Sequence, residues 1–219
     1  MRSALAAVSA ALLLLAMTGC TAAPPVSAPT SPAASSAAPT PSPPPAPGKP
    51  GTLTIAVDGV TFEGDGETRT AGFTDGQAII DLLHDTTGSL PDGVAVDDLE
   101  GYESGVVVYD WDGIAVFLAP DGRARVSVEA PSIGAVRIQT VAGLGVGSSR
   151  TDAVKAQAWD QWDDDGDGLA DYLGIGEREV PGTESLSRPD FVGIEFVLLV
   201  MEDDAVTEIQ APADDFSDL

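Results

Sequence analysis

A long low-complexity stretch limits which part of this chain can fold. The residues from Thr21 to Pro50 are almost entirely Ala, Pro, Ser and Thr, and Lys49 is the only charged residue among them. Such a composition cannot bury a hydrophobic core, and it favours an extended, semi-rigid chain that is partly polyproline II. Any globular fold must therefore form from residues 51–219, which are enough for one domain or two small ones.

The segment before this linker has the layout of an export signal. Arg2 supplies a positive charge, the residues from Ala4 to Ala16 are apolar, and Thr18 and Gly19 are small. The apolar run is shorter than the roughly 20 residues that a membrane-spanning helix needs. We therefore predict that residues 1–19 are a signal peptide that is removed.

Cys20 is the only cysteine of the chain, so the folded region can contain neither a disulfide bond nor a cysteine nucleophile. The tetrad Met17-Thr18-Gly19-Cys20 resembles the bacterial lipobox, whose cysteine receives a diacylglyceryl group and becomes the mature N-terminus. The resemblance implies covalent diacylglycerol on Cys20, whose two acyl chains can anchor the protein stably. It implies a location on the extracytoplasmic face of the cell membrane, with residues 20–50 as lipidated cysteine and linker. The alternative is a plain secretory signal with an incidental cysteine.

The charge of the folded region excludes some classes of partner. Eight of the ten Lys and Arg residues but all 35 Asp and Glu residues lie after Pro50, which gives this region a formal charge of −27. Nucleic acids and anionic lipid surfaces are bound by basic patches, so we expect neither as a partner of this region. Cations and basic partners are compatible with the charge, although acidity also keeps an exported domain soluble.

Two segments of the folded region repeat each other. Gly113 to Pro131 and Gly193 to Pro212 share a pattern of strand, turn and strand, with an offset of 80 residues at the start and 81 at the end. Two further strands are predicted. Positions 53–57 show an alternating pattern, and positions 106–109 are an apolar run before a turn. Each repeat therefore predicts an antiparallel hairpin.

A predicted helix precedes each of these hairpins. The first has the capping-box spacing of Thr74 and Gln77, and it ends near Gly88. The second begins at Ser149 and Asp152, and apolar residues follow at helical spacing. Helix, long loop and hairpin thus recur in the same order.

These patterns predict an α+β fold made of two related units. Residues 51–140 would form the first unit and residues 141–219 the second. Their hairpins would form a mostly antiparallel sheet, with the helices packed on it.

This organisation resembles the family of the β-lactamase inhibitory protein and the small outer-membrane-assembly lipoproteins that share its unit. The segments Ile133 to Ile138 and Ser148 to Val154 are similar to that family's short strand and to its helix start after a glycine turn. The resemblance implies a scaffold that binds other proteins and carries no catalytic site.

The segment from Asp163 to Asp171 has the pattern D-x-D-G-D-G-x-x-D. It is similar to the short calcium loops of thrombospondin type 3 and dockerin-like repeats. Ca²⁺ takes about six to eight oxygen ligands, which carboxylates at loop positions 1, 3, 5 and 9 and a carbonyl at position 7 can supply. These positions hold Asp163, Asp165, Asp167, Asp171 and Leu169.

The predicted calcium loop is not a complete EF-hand. Position 12, where an EF-hand carries a bidentate Glu, is Gly174, so a further ligand would come from Asp160, Glu177 or water. The alternative is an acidic surface loop with two turn glycines. Trp159 and Trp162 flank the loop and could either form a binding face or anchor it in the core.

No catalytic residues are predicted. His84 is the only histidine, so metal sites with several imidazoles are excluded, and its place at the end of the first predicted helix suits the helix dipole. We therefore predict a non-enzymatic protein that binds a protein or cell-wall partner. One alternative is a cell-wall or polysaccharide hydrolase that uses paired carboxylates. Another is the solute-binding partner of a transporter, for which the chain is small.

Overall fold

The structure is a computed structural model that describes residues 48–96 and 104–216. The predicted signal peptide, Cys20 and most of the linker lie outside the described residues. The described part contains thirteen strands and two helices. In chain order these are β1 (Gly51–Ala56), β2 (Gly59–Gly64), β3 (Glu67–Gly72), α1 (Gly76–Thr87), β4 (Val94–Ala95), β5 (Val107–Asp110), β6 (Ile114–Leu118), β7 (Ala124–Val128), β8 (Ser132–Ile133), β9 (Val136–Thr140), α2 (Arg150–Lys155), β10 (Trp159–Trp162), β11 (Tyr172–Glu179), β12 (Ile194–Glu202) and β13 (Ala205–Asp214).

The strands form two sheets. The smaller sheet has five strands in the order β3-β2-β1-β9-β8, in which β1 pairs with β9 in parallel and the other pairs are antiparallel. The larger sheet has eight strands in the order β10-β11-β12-β13-β7-β6-β5-β4, and all of its pairs are antiparallel. Successive side chains of a strand point to opposite faces of the sheet, and one face is buried, as in β1, where Leu53 and Ile55 are buried.

The two helices begin close to where the sequence predicts. In α1 the side chain of Asp75, one residue after the predicted Thr74, accepts a hydrogen bond from the backbone N–H of Ala78. The helix ends at Gly88, which takes a left-handed conformation with φ of 74°. In α2 the side chain of Ser149 accepts from the backbone N–H of Asp152.

The predicted α+β fold class is wrong, because the protein is mostly β. The helix α2 has six residues and buries only Ala153, so it cannot form a layer over a sheet. Only α1 presents a broad apolar face, and it packs against β3 and β6. Neither described helix is long and apolar enough to cross a membrane. The prediction failed because it missed the hairpins β2–β3 and β10–β11, whose outward-facing residues are polar or acidic.

Both predicted hairpins are antiparallel, as β6–β7 and β12–β13. They lie side by side in the larger sheet, where β13 pairs with β7 and Ile209 is opposite Val128. These two residues hold equivalent positions of the two repeats under the 81-residue offset. The Oγ of Ser127 donates a 2.6 Å hydrogen bond to Oε1 of its equivalent, Glu208.

Candidate metal centre

The acidic segment forms the tip of the hairpin β10–β11, at one edge of the larger sheet. The sequence pattern located the acidic residues but placed them in a loop between a helix and a hairpin. Gly166 and Gly168 have φ of 76° and 91°, which explains why glycines stand at these two turn positions. The tip spans residues 163–171 and connects the two strands.

Aspartate side chains of the tip accept hydrogen bonds from backbone N–H groups of the same tip. Asp163 accepts from Gly166 at 2.7 Å and from Gly168 at 2.9 Å. Asp171 accepts from the N–H of Asp164 at 2.7 Å, across the base of the tip. These bonds fix the carboxylates, and an ionised carboxylate still has lone pairs free for another partner.

Three of the five predicted ligand residues converge. One carboxylate oxygen each from Asp163, Asp165 and Asp171 lies within 4.8 Å of the other two. Ca²⁺ binds oxygen at about 2.3–2.6 Å, so two ligands of one ion lie at most about 5 Å apart. The three carboxylates therefore fit a single cation of this size.

Asp167 is not part of this converging group. The carboxylate of Asp167 accepts a 2.7 Å hydrogen bond from the N–H of Leu169. The side chain of Leu169 is 55% exposed, and this residue was predicted to contribute only its carbonyl oxygen. The structure thus groups loop positions 1, 3 and 9 and leaves position 5 outside.

Gly174, at the position of the missing EF-hand Glu, has a structural reason to be glycine. A Cβ atom there would lie 2.4 Å from Cε2 of Trp159, whose ring covers this glycine across the strand pair. A glutamate at this position would displace the indole ring. The predicted substitutes Asp160 and Glu177 are not in the converging group and line a cavity beside Trp159.

Asp215 was not predicted as a site residue, and it is only 7% exposed. Its carboxylate accepts hydrogen bonds from Oγ of Ser185 at 2.5 Å, Oγ of Ser187 at 3.0 Å and the N–H of Ile194 at 2.8 Å. Burial by itself raises the pKa of Asp215, but these bonds and the positive charge of Arg188 outweigh it, and the pKa lies below its ordinary value. We call this group of residues the Asp215 cluster.

The Asp215 carboxylate joins distant parts of the chain. Its hydrogen bonds hold the segment before β12 and the start of β12 to the residue that follows β13. His84 lies exposed in the last turn of α1, as predicted.

Comparisons of this chain with protein-family models, with curated proteins and with solved structures found no match.

Proposed function

We propose that this protein is a lipid-anchored lipoprotein on the extracytoplasmic face of the cell membrane. It has no enzymatic activity, binds Ca²⁺ at the tip of the hairpin β10–β11, and binds a protein or cell-wall partner. The observation that carries the calcium part is the convergence of Asp163, Asp165 and Asp171 within 4.8 Å. The anchor rests on the lipobox-like tetrad that ends at Cys20.

The converging carboxylates favour a cation for an electrostatic reason. Two unit charges about 4 to 5 Å apart repel each other by roughly 1 kcal/mol in water and by several times more in less polar surroundings. A bound divalent ion replaces this repulsion with attraction. With three carboxylates and otherwise neutral ligands, the affinity belongs to the weak extracellular class, with Kd of about 10⁻⁴ to 10⁻³ M.

The surface beside the tip suits contact with a partner. Trp162 is 63% exposed and Leu169 is 55% exposed, so one large apolar side chain stands in solvent beside the acidic tip and another within it. Exposed tryptophan is typical of binding surfaces, because it buries a large area at low entropic cost. Calcium would order the backbone between these two residues and so hold both side chains in position.

Thermal unfolding of the purified exported chain tests the calcium site. With a Kd of about 10⁻⁴ M, millimolar Ca²⁺ should stabilise the fold by roughly 1.4 kcal/mol. For a domain of this size the melting temperature should rise by about 3–6 °C. Mg²⁺ should give a much smaller rise, since it prefers octahedral geometry and loses water reluctantly.

Asp165→Asn should remove the calcium-dependent rise, because it removes one of the three charges. The variant should also melt slightly higher than the parent in chelator, where repulsion is unrelieved. Asp164→Asn is the matched control: its carboxylate lies outside the converging group and accepts from Nε1 of Trp162 at 3.3 Å. Equal melting of the parent in chelator, Ca²⁺ and Mg²⁺ would rule out the site.

Fractionation of cells that express Cys20→Ser tests the anchor. The serine cannot form the thioether, so the protein should leave the membrane fraction or accumulate with its signal uncleaved. A conservative change in the linker, Ser27→Ala, should leave the protein with the membranes. If processed Cys20→Ser protein still sediments with membranes, the anchor lies elsewhere.

A further inference from the structure

The larger sheet splits between its two central hairpins. β13 and β7 pair only where Ile209 to Ala211 face Val126 to Val128. The next residue of β13 is Pro212, which has no N–H to continue the ladder. On β7, the N–H of Ala124 lies two residues before the paired segment and bonds to the carbonyl of Phe73, in the turn before α1. The two strands therefore separate, and a cleft opens between them.

This cleft has a volume of about 390 Å³, which is within the range of small-molecule sites. Phe73, Phe117 and Phe216 contribute aromatic surface, and Pro212 adds a further apolar wall. Six of the other ten lining residues are charged. We call it the split-sheet cleft.

Three arginines line the split-sheet cleft, namely Arg123, Arg125 and Arg178. They are three of only eight Lys and Arg residues after Pro50 in a region with a formal charge of −27. Three acids also line it, so the local charge is balanced. An anion that is repelled by most of this protein therefore meets no net repulsion here.

Arg125 is the arginine best placed to bind an anion. Its guanidinium carbon lies 5.5 Å from the ring centroid of Phe117, the residue directly opposite on β6. Arg178 forms an ion pair with Glu195, and Arg123 forms one with Asp121 at 2.7 Å. Among the described residues, no carboxylate lies within ion-pair distance of Arg125. A guanidinium held near a ring by cation–π attraction still has N–H groups available to an anion.

We propose that the split-sheet cleft binds a small organic carboxylate with an aromatic or apolar body. The carboxylate would receive two parallel N–H bonds from Arg125, the geometry that the guanidinium fork favours. The body would lie against Phe216 and Pro212, which are half-buried. This inference goes beyond the proposed function, and it requires neither the anchor nor calcium.

Nuclear magnetic resonance titration of the ¹⁵N-labelled chain in chelator tests this proposal apart from the calcium site. The probes are 3-phenylpropanoate, 3-phenylpropan-1-ol and 3-phenylpropylamine, which share a ring and differ in charge. The carboxylate should shift the amide signals of Arg125 and Phe216, and the alcohol and the amine should shift them far less. Equal or stronger binding of the alcohol or the amine would overturn the proposal, as would no shift by the carboxylate at its solubility limit.

Arg125→Gln should weaken the binding of 3-phenylpropanoate about tenfold or more, the scale of one charge-assisted pair. Arg125→Lys keeps the charge without the fork and should give an intermediate affinity. Arg137→Gln is the matched control, because it removes the same charge from an exposed residue of β9 in the smaller sheet. Equal weakening by Arg125→Gln and Arg137→Gln would show nonspecific electrostatic attraction and would refute the cleft as a site.

Discussion

The hairpins β6–β7 and β12–β13 share a sequence pattern and a sheet, yet they are held in place differently. The first is covered by α1, whose first residue, Gly76, approaches it so closely that a Cβ atom would lie 2.5 Å from Cδ1 of Leu118 and 2.8 Å from Cβ of Ala124. The second follows α2, which buries only Ala153. Its strand β12 is instead fastened at its start by the Asp215 cluster.

The difference shows which features of the fold depend only on residues that are close together in the sequence. A run of alternating residues around a turn is sufficient to specify a hairpin, because strand and turn preferences act within a few residues. What covers that hairpin is decided by distant segments. Two copies of one pattern can therefore occupy equivalent places in a sheet and still depend on unrelated contacts.

The largest effect that separates the two hairpins should come from their helices. Leu83 of α1 is fully buried, and Leu83→Ala should cost about 2–5 kcal/mol of unfolding free energy through lost packing and a cavity. Val154 of α2 is 60% exposed, so Val154→Ala should change stability by no more than about 0.5 kcal/mol. Urea denaturation of both variants measures the difference. Similar losses would show that α2 supports its hairpin as much as α1 does.

A smaller effect should come from the Asp215 cluster. Asp215→Ala leaves the hydroxyls of Ser185 and Ser187 and the N–H of Ile194 without their acceptor, and it should cost about 1–3 kcal/mol. Glu202→Ala, at the exposed far end of β12, is the control and should be nearly neutral. If Asp215→Ala is also neutral, another contact fastens β12.

The effect of Asp215→Ala should also depend on pH. The pKa of Asp215 in the folded protein lies below its ordinary value of 3.8, so the unfolded chain takes up the proton more readily than the folded one. The carboxylate therefore contributes its full stability above the unfolded pKa, and this contribution is lost as pH falls through the folded pKa. Denaturation curves of parent and variant should differ most near neutral pH and converge below about pH 4. A constant difference over this range would exclude the ionised carboxylate as the cause.

Some elements of the fold could be predicted because their signals are local. The two predicted hairpins and the first predicted helix each rest on patterns within a short window, and all three are present. The polar hairpin β2–β3 was missed, since Thr and Glu residues on its outer face obscure the alternation. The parallel pairing of β1 with β9 joins distant segments, so no local pattern indicates it.

The candidate metal centre was predictable to a similar degree. The spacing of the acids predicted Asp163, Asp165 and Asp171 as ligands, because ligands that come from one loop are close together in the sequence. The contact between the Trp159 ring and Gly174 could not be predicted, because it depends on the register between β10 and β11. The Asp215 cluster depends on residues thirty positions apart in sequence.

The position of β1 has a mechanical consequence. It is the middle strand of the smaller sheet, with β2 on one side and the parallel β9 on the other, and it begins directly after the Pro-rich linker. A pull on the linker would act along β1 and load the hydrogen bonds to both neighbours at the same time, in shear. Hydrogen bonds that are loaded together must break together, whereas bonds that are loaded in turn can open one at a time. The time for which the domain stays folded under force is set by its unfolding rate. The fold thus takes tension at a strand that is hydrogen-bonded on both sides.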